Sequence, residues 1–123
     1  MAGSESKSNA VLSQIVVNSL FTPRQLTIIS NQLNKRGRAR NISSGAYYRQ
    51  VKQCRDKVAA VLYSVVLLQS TGILQPEALA TLARLAEQIG VILSADSSDI
   101  IEETRLADVI SVMDTLVKRM CKL

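Results

Sequence analysis

The 123-residue chain is predicted to be an all-α protein of about five helices, with a helix-turn-helix-like N-terminal half and a C-terminal helical hairpin. Apolar residues recur three and four positions apart from end to end, and no segment shows the apolar and polar alternation of a half-buried strand. Start and stop signals at Thr22-Pro23, Gly72 and Gln75-Pro76 separate these periodic segments. At this length we expect one domain over residues 1–123.

The first two helices are predicted from apolar spacing and from a cap. Residues 1–9 read as a disordered lead, so the first helix is expected to start after Ser8 or Asn9, and its apolar face comprises Val11, Leu12, Ile15, Val16 and Leu20. Thr22, Pro23 and Gln25 form a capping-box pattern that starts the second helix. That helix is expected to end near Asn34 and to use Leu26, Ile29 and Leu33 as its apolar face.

A long third helix is predicted from Ser43 or Ser44 to about Gln69. Its apolar stripe follows an unbroken spacing of four and three, in Tyr47, Val51, Cys54, Val58, Val61, Val65 and Leu68. Basic and polar residues lie opposite this stripe in the first half of the helix. From Val58 onward apolar residues extend around most of the circumference, so the second half, Tyr63 included, is predicted to be buried in the centre of the core.

Two further helices complete the chain. The fourth is expected to open at Gln75-Pro76 and to carry a stripe of Leu79, Leu82, Ala86, Ile89 and Leu93. The final helix follows the polar break at residues 94–99, with Leu106, Ile110, Met113, Val117 and Met120 on one stripe. Stripes of this spacing form either an intramolecular hairpin or a subunit interface. We predict a homodimer formed mainly by the final helix.

The charge of the chain is divided between its two halves. Residues 1–70 contain ten Lys or Arg against two acidic residues, a net charge of +8, whereas residues 71–123 have a net charge of −3. A clustered cationic surface is typical of a nucleic-acid binder. Residues 10–70 are therefore predicted to bind nucleic acid, and residues 71–123 to associate with another subunit.

The composition argues against several other functions. The chain has no His, so the usual general base is missing. Its two cysteines, Cys54 and Cys121, are predicted to be reduced thiols, and two thiols alone are too few ligands for a zinc site. The five glycines are isolated and form no phosphate-binding loop. We therefore expect neither an enzyme nor a bound metal, cofactor or small-molecule substrate. No apolar run is long enough to cross a membrane, and no secretory signal is evident, which predicts a cytoplasmic protein.

A capped short helix, a loop with Gly37 and a second helix with basic first turns together indicate a helix-turn-helix arrangement. Residues 21–29, FTPRQLTII, resemble the opening of the DNA-binding helix in LuxR-type regulators and in promoter-reading regions of sigma factors. The resemblance covers about nine residues, and the longer connection that follows departs from the tight turn of those proteins. It implies that Arg24 contacts the DNA backbone.

The predicted function is duplex DNA binding by a dimeric transcriptional regulator or small architectural factor. The phosphate-contacting loop would be residues 35–41, and the early side chains of the third helix would reach base edges. The candidate binding residues are Arg24, Lys35, Arg36, Arg38, Arg40, Ser44, Tyr48, Arg49, Lys52, Gln53 and Lys57. Two alternatives stay open: a subunit that holds RNA or single-stranded DNA by its backbone in a ribonucleoprotein complex, and a helical module whose basic face docks a protein.

Overall fold

The protein is all-helical over the residues that its structure describes. A computed structural model describes the backbone of residues 2–34, 42–94 and 103–123, and the side chains of residues 10–34, 42–94 and 107–123. These ranges contain five helices and no strand longer than an isolated bridge: α1 Ala2–Val17, α2 Pro23–Leu33, α3 Ser44–Ser70, α4 Ala78–Ser94 and α5 Glu103–Met120. The predicted fold class is confirmed. Among the described helices, none combines the length and hydropathy that a membrane span requires.

The helix boundaries follow local capping chemistry. Thr22 caps α2 in a reciprocal capping box, because the Gln25 N–H donates to Thr22 Oγ1 at 3.1 Å and the Thr22 N–H donates to Gln25 Oε1 at 3.0 Å. Ser43 Oγ accepts the Ala46 N–H at 3.2 Å at the start of α3. Beyond the other end of α3, Gly72 has a φ of +77°, a conformation that costs glycine little.

Two helix starts differ from the predicted positions. The backbone of α1 is already helical at Ala2, earlier than the predicted start after Ser8 or Asn9. Extending an existing helix by a residue is far less costly than nucleating one. Helix α4 begins at Ala78 instead of at Pro76, with the Ala78 N–H bonded to the Gln75 carbonyl at 3.0 Å.

The chain forms two compact units. We call Val16–Leu67 the hairpin unit, and Met1–Ile15 together with Leu68–Leu123 the split unit. The split unit has a core around Val11 and Ile89, which are 0% and 8% exposed. Half-buried side chains of α1, α4 and α5 pack against this pair: Ile15, Leu85, Ile92, Leu93, Val109 and Met113. Residues up to Ile15 therefore belong with the C-terminal helices, although the sequence analysis grouped residues 10–70 together.

The predicted C-terminal hairpin, formed by α4 and α5 of the split unit, is present. Backbone hydrogen bonds close it at one end. The Gln75 N–H donates to the Met120 carbonyl and the Lys122 N–H donates to the Ile73 carbonyl, both at 2.8 Å. These bonds form a single antiparallel bridge between Leu74 and Cys121. They hold the chain entering α4 beside the end of α5, which allows α4 and α5 to pack together.

The inward face of α4 overlaps the predicted stripe in part. Leu79 is 48% exposed and Ala86 is exposed, which makes both predicted positions wrong. The other three predicted positions, Leu82, Ile89 and Leu93, are buried or half-buried. Ala78, Leu85 and Ile92 complete the inward face. A helix as apolar as α4 carries several stripes of helical period, and only its neighbours select the one that is buried.

Candidate nucleic-acid interface

The hairpin unit is held together by a small core between α2 and α3. Ile28 on α2 and Tyr47, Val51 and Cys54 on α3 are all 9% exposed or less, and Ile29 and Ile42 pack against them. Tyr47 was predicted to be a core residue with its hydroxyl at the edge, and this is confirmed. Its hydroxyl donates to Gln32 Oε1 at 2.9 Å. This core fixes which side of α3 faces away from α2.

The contacts between α2 and α3 run in antiparallel register over about two turns. Tyr47 bonds to Gln32 near the end of α2, whereas the Cys54 thiol lies 3.8 Å from the Gln25 carbonyl near its start. As residue numbers rise along α3, their partners' numbers fall along α2. A helix-turn-helix pair crosses at about 90–120° and is joined by a short turn. The observed contacts are those of an antiparallel hairpin, so the helix-turn-helix arrangement gains no support from them.

The first half of α3 presents a polar face away from the hairpin core. Ser44, Tyr48 and Lys52 are spaced four residues apart, and Arg49 and Gln53 form the neighbouring row. All five are exposed, and Tyr48 is 69% exposed. Lys52 Nζ forms an exposed ion pair with Asp56 at 2.9 Å. The structure thus brings five of the predicted binding residues onto one accessible surface, which we call the polar face of α3.

Lys57 has a structural role that the sequence analysis missed. Its ammonium donates to the Leu20 carbonyl at 2.6 Å and to Gln25 Oε1 at 3.0 Å, and it lies 5.6 Å from the centre of the Phe21 ring. These contacts tie α3 to the segment before α2 and to the capping box. A lysine already engaged in this way has less freedom to bind phosphate, so we remove Lys57 from the proposed interface. The sequence could have indicated this role, because helical spacing places Lys57 on the side of α3 opposite Tyr48.

The other candidate binding residues divide into two groups. Arg24 is exposed in the first turn of α2, within the segment that resembles regulator helices. Lys35, Arg36, Arg38 and Arg40 lie outside the described residues, so their phosphate contacts stay a prediction from charge.

The predicted dimer residues on α5 mostly serve the packing of the split unit. Met120 is 6% exposed and Met113 packs against the Val11 and Ile89 core, so neither offers a free surface. Ile110 is half-buried, Val117 is 49% exposed, and the side chain of Leu106 lies outside the described part. Met113 and Met120 are therefore used within the split unit, and the homodimer placed on this stripe stays a prediction.

The second half of α3 differs most from the sequence analysis. Tyr63 was predicted to be buried and is 78% exposed, and large exposed fractions also occur at Leu62, Val66 and Leu67. Val61, Val65 and Leu68 are only half-buried. The predicted burial of this half of the helix was wrong because, among the described residues of the hairpin unit, the 11-residue α2 is too short to cover all 27 residues of α3. The apolar surface that results had no signal in the sequence, since a fully apolar helix is normally a buried one.

The described residues contain no cluster of metal-ligating side chains, since no group of three or more His, Cys, Asp or Glu among them could hold a metal ion. Cys54 is a buried free thiol and Cys121 an exposed one. No family model, curated protein or solved structure matches this chain. Its function is therefore inferred from its own residues and contacts.

Proposed function

We propose that this protein binds duplex DNA through the polar face of α3. The observation that carries the proposal is the exposure of Ser44, Tyr48, Arg49, Lys52 and Gln53 on one side of a helix whose other side is packed on α2. Hydrogen-bonding and cationic side chains on a firmly held helix are what major-groove contact requires. The protein would act in the cytoplasm as a transcriptional regulator or architectural factor, not as an enzyme.

Charge supports the choice of a phosphate-containing partner. The sequence of the hairpin unit, residues 16–67, contains nine Lys or Arg and a single acidic residue, Asp56. The split unit has a net charge of −3. The net positive charge of the chain thus lies in the hairpin unit. Counterion release from DNA would stabilise binding there.

Duplex DNA is favoured over RNA by the shape of the contacting element. The major groove of B-form DNA is about 12 Å wide and admits an α-helix, whereas the deep and narrow major groove of A-form RNA does not. Single-strand binding depends on stacking platforms. Only Tyr48 on this face can stack, since the Tyr47 ring is buried. The proposal applies to the single chain, because the α5 stripe is used within the split unit.

The proposal is tested by salt-dependent binding to a short duplex. Replacing Arg49 and Lys52 by Ala should weaken duplex binding and reduce the slope of log affinity against log salt by about one per lost phosphate contact. Arg84→Ala, an exposed cation on α4, is the matched control and should change neither quantity. Thermal melts should show all three substitutions to be tolerated, because each side chain is exposed.

The cations of the loop at residues 35–41 are tested by a separate variant. We expect the triple substitution Arg36→Ala, Arg38→Ala and Arg40→Ala to reduce the slope further, and an unchanged slope would remove this loop from the interface. Parallel titrations with single-stranded DNA, double-stranded RNA and polyglutamate distinguish the alternatives. Tighter binding to either RNA or single-stranded DNA than to the duplex would contradict the proposal, as would salt-insensitive binding to polyglutamate alone.

A further inference from the structure

An open apolar groove runs between α2 and α3 in the hairpin unit, on the side of α3 next to its polar face. Its volume is about 400 Å³. Cys54, 4% exposed, is its most buried lining residue, Val51 is also buried, and Leu33 and Leu62, 76% and 61% exposed, stand at its rim. The remaining apolar lining comes from Ile28, Ile29, Val58 and Ala59.

This groove continues into the exposed apolar surface of the second half of α3. Val66 lies one helical turn beyond Leu62 and is 64% exposed, and Val58 is 39% exposed. Large contiguous apolar patches are rare on monomeric proteins and mark interaction sites. Isolated exposed leucines need no such explanation, but here they line one concave surface. The groove therefore has the form of a docking site.

We propose that the groove binds an amphipathic helix of an acidic protein partner. Its walls are two antiparallel helices, an arrangement that accepts the apolar stripe of a third helix at spacings of three, four and seven. The 11 residues of α2 provide walls about 16 Å long, enough for about three turns of the incoming helix. Leucine-like side chains would enter between Leu33 and Leu62.

Charge complementarity selects the partner's polar residues. Arg55 lines the groove and is exposed, and the hairpin unit around it carries a net charge of +8. The only acidic residue of the hairpin unit, Asp56, is already paired with Lys52. Carboxylates flanking the partner's apolar stripe would meet Arg55 with no competing anion, a pairing that favours an acidic helix over a basic one.

A second copy of the chain fits the groove less well. Two hairpin units brought together would each contribute a net charge of +8, and like charges in an interface are unfavourable. DNA fits less well still, because the walls are apolar apart from Gln32 and Arg55. Both remain defined outcomes of the test.

The test uses the full chain and two labelled peptides of about 18 residues. The first has Leu at the stripe positions and Glu on the flanks, and the second has Lys in place of every Glu. Fluorescence anisotropy should show the acidic peptide binding at least about tenfold more tightly than the basic one. Leu62→Ser should weaken the acidic peptide by about tenfold, while Arg55→Glu should reverse the preference between the two peptides.

Val91→Ser is the matched control, since Val91 is 69% exposed on α4 and lies outside the groove. It should leave binding unchanged, and circular dichroism should show every variant to be as helical as the original chain. Equal affinity for both peptides, no binding of either, or binding insensitive to both Leu62→Ser and Arg55→Glu would overturn the proposal. Sedimentation equilibrium showing a dimer that Leu62→Ser dissociates would overturn it in favour of self-association.

Discussion

Tyr47 and Tyr48 are sequence neighbours with opposite environments. Tyr47 is 6% exposed and Tyr48 is 69% exposed, because successive residues of a helix point about 100° apart. Their rings still meet edge to face, with centroids 5.9 Å apart and planes inclined by 69°. The buried ring orients its hydroxyl toward Gln32, and the exposed one stands at the edge of the polar face. One residue step thus separates a structural tyrosine from a candidate contact residue.

Tyr47→Phe tests this division. It removes the hydroxyl that donates to Gln32 but keeps the packed ring, so the free energy of unfolding should fall by about 1 kcal/mol. Tyr48→Phe is the control, and its free energy of unfolding should change by less than about 0.5 kcal/mol. Urea titrations of both variants measure these quantities. Equal losses of unfolding free energy in the two variants would show that the Tyr47 hydroxyl bond adds no more stability than the exposed Tyr48 hydroxyl.

At the scale of the element, α3 combines three surfaces along 27 residues. Its early turns pack on α2 through Tyr47, Val51 and Cys54, and the opposite side of the same turns is polar and basic. Its later turns are apolar and largely exposed. Helical periodicity predicted the first two surfaces well, because a basic and polar face leaves only one side of the helix free to pack. The third surface has no such contrast of residue types.

We therefore expect large-to-small substitutions along α3 to have unequal effects. Val51→Ala leaves a cavity in the hairpin core and should lower the free energy of unfolding by about 1 to 3 kcal/mol. Leu62→Ala removes more carbon atoms but from an exposed position, so its effect should stay within about 0.5 kcal/mol. Thermal and urea denaturation give both values. A larger loss for Leu62→Ala would place that side chain in a packed core and would remove the groove rim.

On the scale of the whole molecule, the two units differ in net charge and in how the chain builds them. The hairpin unit is a continuous stretch with a net charge of +8, while the split unit is assembled from both ends of the chain with a net charge of −3. Val11 from α1 and Ile89 from α4 meet in the core of the split unit although 78 positions separate them in the sequence. Periodicity reports which face of a helix is apolar, but it carries no information about which distant helix will cover that face.

Met113→Lys distinguishes core from interface on α5. Met113 packs against the Val11 and Ile89 pair, so an ammonium there should destabilise the split unit by at least about 2 kcal/mol. Val117→Lys, at a position 49% exposed, should be tolerated. Circular dichroism melts measure stability, and light scattering measures mass. A helical, stable Met113→Lys monomer derived from a dimeric parent would restore the subunit interface that the sequence analysis placed on this stripe.

The sequence by itself determined the features that depend on local interactions. The all-α class, the capping box at Thr22, the glycine stop at Gly72 and the Tyr47 side of α3 were confirmed, since each follows from residues within a few turns of one another. The exposed polar positions of α3 were also predictable, because their opposite side is apolar.

Only the tertiary structure decided which apolar surfaces are covered. It exposed Leu33, Leu62 and Tyr63, opened the groove between α2 and α3, and engaged Lys57 with Leu20 and Gln25. The physical reason is that burial depends on the length and placement of a neighbouring helix. A periodic pattern in one helix is equally compatible with a covering helix, a partner protein or solvent.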